Sequence, residues 1–170
     1  FERFHLPEGA KLDIRSTDLK QNMRSFTSLD NNKQRELWTP IILANDVTLR
    51  LSVPGDKISE LDFSLTKVNQ GFRTFGQSTQ KAGSCNIDVA CSEGDDWSDE
   101  INSVAVIGVN GSTFCTGFMV NNARGDKTPY FMTANHCGIS ESRAASLVVY
   151  WNYQRSQCRG GDDASLDNFQ

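Results

Sequence analysis

The clearest regularity along the chain is an alternation of apolar and polar positions between Trp38 and Phe75. Val47, Leu49, Leu51 and Val53 fall on one side, with Thr48, Arg50 and Ser52 between them. A period of two predicts a strand with one face covered. Pro54-Gly55-Asp56-Lys57 is a turn cluster that ends it, and a second short alternation of Leu61, Phe63 and Leu65 follows. Before Trp38 the signals conflict: Leu19, Met23 and Phe26 have helical spacing, whereas the Ser, Asn and Asp around them favour turns. Further on, residues 104–109, 113–120, 130–134 and 146–153 are short runs rich in β-branched and aromatic side chains. Asn110-Gly111, Asn121-Asn122 and Gly125-Asp126 separate them as turn formers, a spacing that suggests a sandwich or barrel. The expected fold class is all-β.

Charge and cysteine divide the chain in two. Before Cys85 there are 12 basic and 10 acidic residues and no cysteine; from Cys85 onward there are 5 basic and 11 acidic residues and all five cysteines. The stretch from Gln77 to Ser84 is small and polar without periodicity, as a linker should be, and Lys81 within it is a possible processing point. Two units are expected, residues 1–80 and 82–170. A net charge of -4 without a Lys/Arg stripe gives nothing to draw the chain to a phosphate backbone, so no nucleic-acid partner is expected. No apolar run approaches the roughly 18 residues of a spanning helix, so no membrane partner is expected either. The chain starts at Phe1 without the basic-then-apolar layout of a signal peptide, which suggests part of a longer precursor.

Histidine occurs twice. His5 lies in an irregular N-terminal segment and is expected to be solvated. His136 follows an apolar strand, Tyr130 to Ala134, and precedes a cysteine able to pin the turn that carries it. That placement suits a general base, which needs a rigid support beside a cleft, although a histidine at a strand end is more often structural. The other candidates are weaker. Ser64-Leu-Thr-Lys67 fits a Ser-x-x-Lys pattern but lies in an alternating strand without companion motifs. Asn110-Gly-Ser112 matches a glycosylation acceptor and reads better as a hairpin turn. Tyr150-Trp-Asn-Tyr153 reads as core rather than a ligand box. Five cysteines without a Cys-x-x-Cys pair fit disulfides better than zinc, and no cofactor is expected.

Thr133-Ala-Asn-His-Cys137 resembles the histidine motif of chymotrypsin-like serine proteases, and Phe114-Cys-Thr-Gly-Phe-Met-Val120 resembles the strand that supplies the partner of its cysteine. More narrowly, five motifs are similar in order and spacing to bacterial secreted lysyl endopeptidases. They are Gly83 to Cys91, Cys115-Thr-Gly117, Val120-Asn-Asn122, Tyr130 to Gly138 and Val149 to Gln154, followed by Cys158. The resemblance covers about residues 82–160.

It implies a propeptide-like unit over 1–80, then the histidine-bearing first half of a chymotrypsin-like double β-barrel over 82–170. It gives His136 the role of general base in a secreted, trypsin-like serine endopeptidase acting on protein or peptide substrates. It pairs Cys115 with Cys137 and Cys91 with Cys158, and leaves Cys85 for a partner in a C-terminal barrel half, the alternative being a free thiol. The family's aspartate and Gly-Asp-Ser-Gly-like segments would lie further along than Gln170, and Asp162, Asp163 and Asp167 read as solvated charges in an acidic tail. The 170 residues alone are therefore expected to be inactive. The alternative function is a noncatalytic secreted binding or surface protein derived from a protease. Disulfides imply an oxidising compartment, periplasm or medium.

Overall fold

The structure, a computed structural model, describes residues 1–17, 24–71, 87–111 and 113–160. Strands dominate these residues, so the fold is all-β. The first unit holds β1 (Arg3–His5), β2 (Lys11–Ser16), β3 (Phe26–Thr27), β4 (Val47–Ser52) and β5 (Asp62–Ser64). β2 is the centre of an antiparallel sheet ordered β3-β2-β4, while β1 and β5 form a separate antiparallel pair. Leu12 and Ile14 of β2 turn inward with Phe4, Leu6 and Phe26, and Leu51 and Phe63 pack against them as one apolar core.

The alternation in β4 is only partly covered. Leu51 and Val53 reach the core, but Val47 and Leu49 are 43% and 39% exposed. β4 is an edge strand, and so small a unit has too little chain to cover the whole of one strand face. Phe26 lies in β3 rather than on a helix; Leu19 and Met23 fall outside the described residues. His5 is not in loose chain: it sits half-buried in β1, in register with Asp62 of β5.

The second unit is one antiparallel sheet of β6 (Val104–Val109), β7 (Thr113–Val120), β8 (Tyr130–Thr133) and β9 (Val148–Trp151), ordered β8-β7-β6-β9. Three consecutive strands with a fourth returning beside the first make a Greek-key arrangement. Two short helices, α1 (Ser98–Ser103) and α2 (Glu141–Ala144), precede β6 and β9. Asn110 and Gly111 have φ of 53° and 69°, the left-handed backbone of a sharp hairpin reversal, so Asn110-Gly111 is a turn. Ile107, Val109, Val148 and Tyr150 are buried, and the sheet is open among the described residues.

The units touch. Trp38 and Ile41 pack against Val148 and Tyr150, and the Asn69 side-chain amide donates to the Asn110 carbonyl at 3.2 Å.

Candidate active site

His136 is exposed at the centre of a 3-10 turn, Asn135–Cys137, that follows β8 directly. Three interactions hold this turn. The Cys137 and Gly138 amides donate to the carbonyls of Ala134 and Asn135 at 3.0 and 3.1 Å, closing it. Gly138 leaves it with φ of 68°, a conformation in which a side chain costs about 1–2 kcal/mol. Cys137 is buried and joined to Cys115 of β7 by a disulfide with a Cα–Cα distance of 6.0 Å. The residues either side of His136 thus differ sharply in exposure, and the disulfide fixes where the imidazole leaves the surface.

The strand beneath is equally constrained. Gly117 of β7 pairs with Thr133 of β8, and the Phe131 ring lies where a Cβ on Gly117 would be. Phe131 meets Trp151 of β9 edge-on at 5.9 Å. The Thr133 hydroxyl donates to the Thr116 carbonyl at 2.7 Å and lies 3.2 Å from Cys137 Sγ. From the far side of the turn, the Arg143 guanidinium donates to the Gly138 carbonyl at 3.3 Å. Sequence reasoning missed Gly117, Phe131 and Arg143 as supports; a glycine inside an otherwise β-branched strand was the available signal for the first.

A ring atom of His136 and the Cys115 and Cys137 sulfurs lie within 4.8 Å of one another. The sulfurs are bonded to each other and are not thiolates, so the three do not form a soft-metal ligand set in this state. No carboxylate hydrogen-bonds or ion-pairs with His136 among the described residues.

The other singled-out residues lie apart. Cys91 and Cys158 form the second disulfide, spanning 67 residues with a Cα–Cα distance of 4.5 Å, and the Arg159 amide donates to Asp88 at 2.8 Å nearby. Cys85 and Lys81 are outside the described residues, as are Asp162, Asp163 and Asp167. Ser64 ends β5 opposite Arg3, and the Lys67 ammonium pairs with Glu2 at 2.9 Å rather than serving Ser64. Tyr150 is core, and burial pushes its hydroxyl above the ordinary phenol pKa.

The family model for the C-terminal domain of lysyl endopeptidase matches residues 79–170, more than half of the chain. The chain belongs to the lysyl endopeptidase family. It is 29% identical over 157 residues to the lysyl endopeptidase of Pseudomonas aeruginosa, an alignment covering 82% of this chain and 33% of that one. The chain therefore spans about a third of that relative's length. Coverage of 82% exceeds what residues 79–170 supply, so the likeness to a lysyl endopeptidase reaches into the first unit as well. The chain is protease-derived, and the two disulfides among its described residues fit an oxidising, extracellular setting.

Proposed function

We propose that this chain is part of a secreted serine endopeptidase precursor of the lysyl endopeptidase type, in which residues 1–80 act as propeptide and residues 82–170 carry the catalytic histidine. The observation that carries the reading is His136, exposed on a turn pinned from below by the disulfide from buried Cys137 to half-buried Cys115. That the family and the Pseudomonas aeruginosa relative are lysyl endopeptidases supports cleavage at lysine, and Lys81 fits as the point where the propeptide is released.

In this reading one imidazole nitrogen of His136 takes the proton from a serine hydroxyl as it attacks the peptide carbonyl, then gives it to the leaving amine. The pinned turn serves this step by limiting the ring's freedom, so that little order is lost on reaching the transition state. The serine, its oxyanion-binding amides and the aspartate that orients the ring come from chain beyond Gln170, and Cys85 is bridged to that part. Protein and peptide substrates follow, with neither nucleic acid nor membrane as partner.

A serine-directed fluorophosphonate tests the assignment, because it labels a serine that a neighbouring base activates. The full-length enzyme is expected to take the label and its His136→Ala variant to lose it while remaining folded. Equal labelling of both contradicts the role of His136. No labelling of the parent favours the noncatalytic reading, which draws on the lack of a carboxylate at His136 among the described residues.

A further inference from the structure

Six of the chain's seven lysines, Lys11 through Lys81, precede Cys85, and Lys127 alone follows it, alongside four arginines. An enzyme that cuts after lysine would therefore find its sites almost entirely in the first unit. Lys127 needs its own account, because it is exposed in the β7–β8 loop, where proteases ordinarily nick.

Its backbone is not that of a bound substrate. Lys127 has φ of 57°, whereas a substrate must lie extended to bond along a protease cleft as an added strand. The amide nitrogen of the Lys127–Thr128 bond is itself engaged, donating to Asp126 Oδ1 at 3.0 Å. Asp126 is fixed in turn by the Asn122 side-chain amide at 2.7 Å, and the Asn122 oxygen accepts from the Arg124 amide at 2.9 Å. The next residue, Pro129, has no N–H to offer a cleft. Cleavage at Lys127 requires this loop to open first.

Lys67 is the opposite case. Residues 65–71 lie in no helix or strand, Lys67 has no left-handed twist, and Val68 on the far side of the bond is 81% exposed. An exposed ion pair to Glu2 and the Asn69 bond to Asn110 are weak restraints. The other described lysines of the unit are held by more backbone bonding: Lys11 in β2, Lys57 in the 3-10 helix Gly55–Glu60, and Lys33 in a turn closed by the Arg35 amide on the Asn32 carbonyl at 3.1 Å, with the Asn32 side chain bonded to the Glu36 backbone.

We propose that, among the described lysines, Lys67–Val68 is the bond of the first unit that lysine-directed cleavage opens first, while the Asn122–Asp126–Thr128 turn shields Lys127 and so spares the histidine-bearing unit. The inference rests on the lysyl endopeptidase reading above. The step is hydrolysis: the Lys67–Val68 C–N bond breaks, water's hydroxyl goes to the Lys67 carbonyl carbon, and a proton goes to the Val68 nitrogen.

The test is limited digestion of the 170-residue chain with a lysine-specific endopeptidase. The products are reduced, because the Cys91–Cys158 bridge would hold a cut at 127 together, and the new N-termini are quantified. Val68 is expected to appear at least about tenfold faster than Thr128, and Asp126→Ala to speed the Thr128 end about tenfold by removing the bond on its amide. Thr128 appearing as fast as Val68, or no effect of Asp126→Ala, overturns the proposal. Hydrolysis of short lysyl and arginyl peptides by the full-length enzyme separates the two claims. Lysyl cleavage together with a rapid cut at 127 defeats this inference alone, and failure to cut lysyl peptides defeats the functional reading beneath it.

Discussion

The Ile41 amide donates to the phenolic oxygen of Tyr150 at 3.0 Å, a bond between residues 109 apart in sequence that joins the two units. Tyr150 is 2% exposed, and Trp38 lies against the same surface. The first unit is thereby docked on β9, the strand that closes the Greek-key order beside β6. If residues 1–80 assist folding of the histidine-bearing unit, this contact and the Asn69–Asn110 bond are places among the described residues where they would act on it.

Replacing Tyr150 with Phe keeps the ring and removes the acceptor. The change is expected to cost about 1–2 kcal/mol in denaturant unfolding, since the Ile41 amide loses this partner. It also changes the alkaline limb. Burial raises the Tyr150 pKa above 10.0 in the folded state, so the folded chain holds its proton longer than the unfolded one. Tyr150 therefore contributes stability that is fully present below pH 10.0 and is lost as pH rises through the folded value. The variant should show a shallower fall above that pH.

Removing the Cys115–Cys137 bridge by a double Ala substitution should destabilise the chain by about 3.4 kcal/mol on the chain-entropy estimate for its separation of 22. The Cys91–Cys158 pair, with a separation of 67, should cost about 4.4 kcal/mol. Only the first should also broaden the His136 ring resonances, because only it anchors that turn. Equal effects of the two on His136 would separate its placement from the bridge beneath it.

Gly117→Ala places a methyl where the Phe131 ring lies. The ring cannot yield freely, being packed edge-on against Trp151. A loss of about 1–3 kcal/mol is expected, as for other overpacked sites. Gly138→Ala should cost about 1–2 kcal/mol for a different reason, its φ of 68°. Thermal unfolding of both variants checks the pair; a further Phe131→Leu change should rescue the first only in part, because the methyl also meets the Met132 carbonyl oxygen, and the second not at all.

Acid should loosen the loop that carries Lys127. Bonds from the Thr128 hydroxyl and amide and from the Asn122 side chain hold Asp126 below its ordinary pKa of 3.8. Its contribution to the loop is therefore present above pH 3.8 and is lost as pH falls through the folded value. Amide exchange at Thr128, corrected for its intrinsic pH dependence, should show lower protection below that pH in the parent. Asp126→Asn should remove the dependence.

The sequence made the second unit easier to read than the first. The runs at 104–109 and 113–120 coincide with β6 and β7, because Ala105, Ile107 and Val109 of β6 turn alternately into the interior, β7 pairs along the whole of β6, and a left-handed Asn110-Gly111 turn separates them. β2 was hidden: Leu12 and Ile14 are flanked by Asp13, Arg15 and Ser16, and only pairing with both β3 and β4 makes that segment a central strand. β4 erred the other way, since its apolar positions Val47 and Leu49 have no layer above them. At the candidate site, His136 could be singled out from its strand and its cysteine, but which cysteine lay beneath it came from resemblance alone, because spacing does not fix connectivity. The docking of Trp38 and Ile41 on Tyr150 left no local trace, being a contact between distant segments.

The central claim is that His136 is the general base of a serine endopeptidase. Its most direct test is kcat/KM for a lysyl peptide, measured for the full-length processed enzyme and for its His136→Ala variant, with folding monitored in parallel. The account predicts a fall of about 10⁴-fold or more with the melting transition unchanged, as loss of a triad histidine brings. A variant that remains folded and cleaves the peptide within about tenfold of the parent, less than general acid–base catalysis supplies, would contradict it.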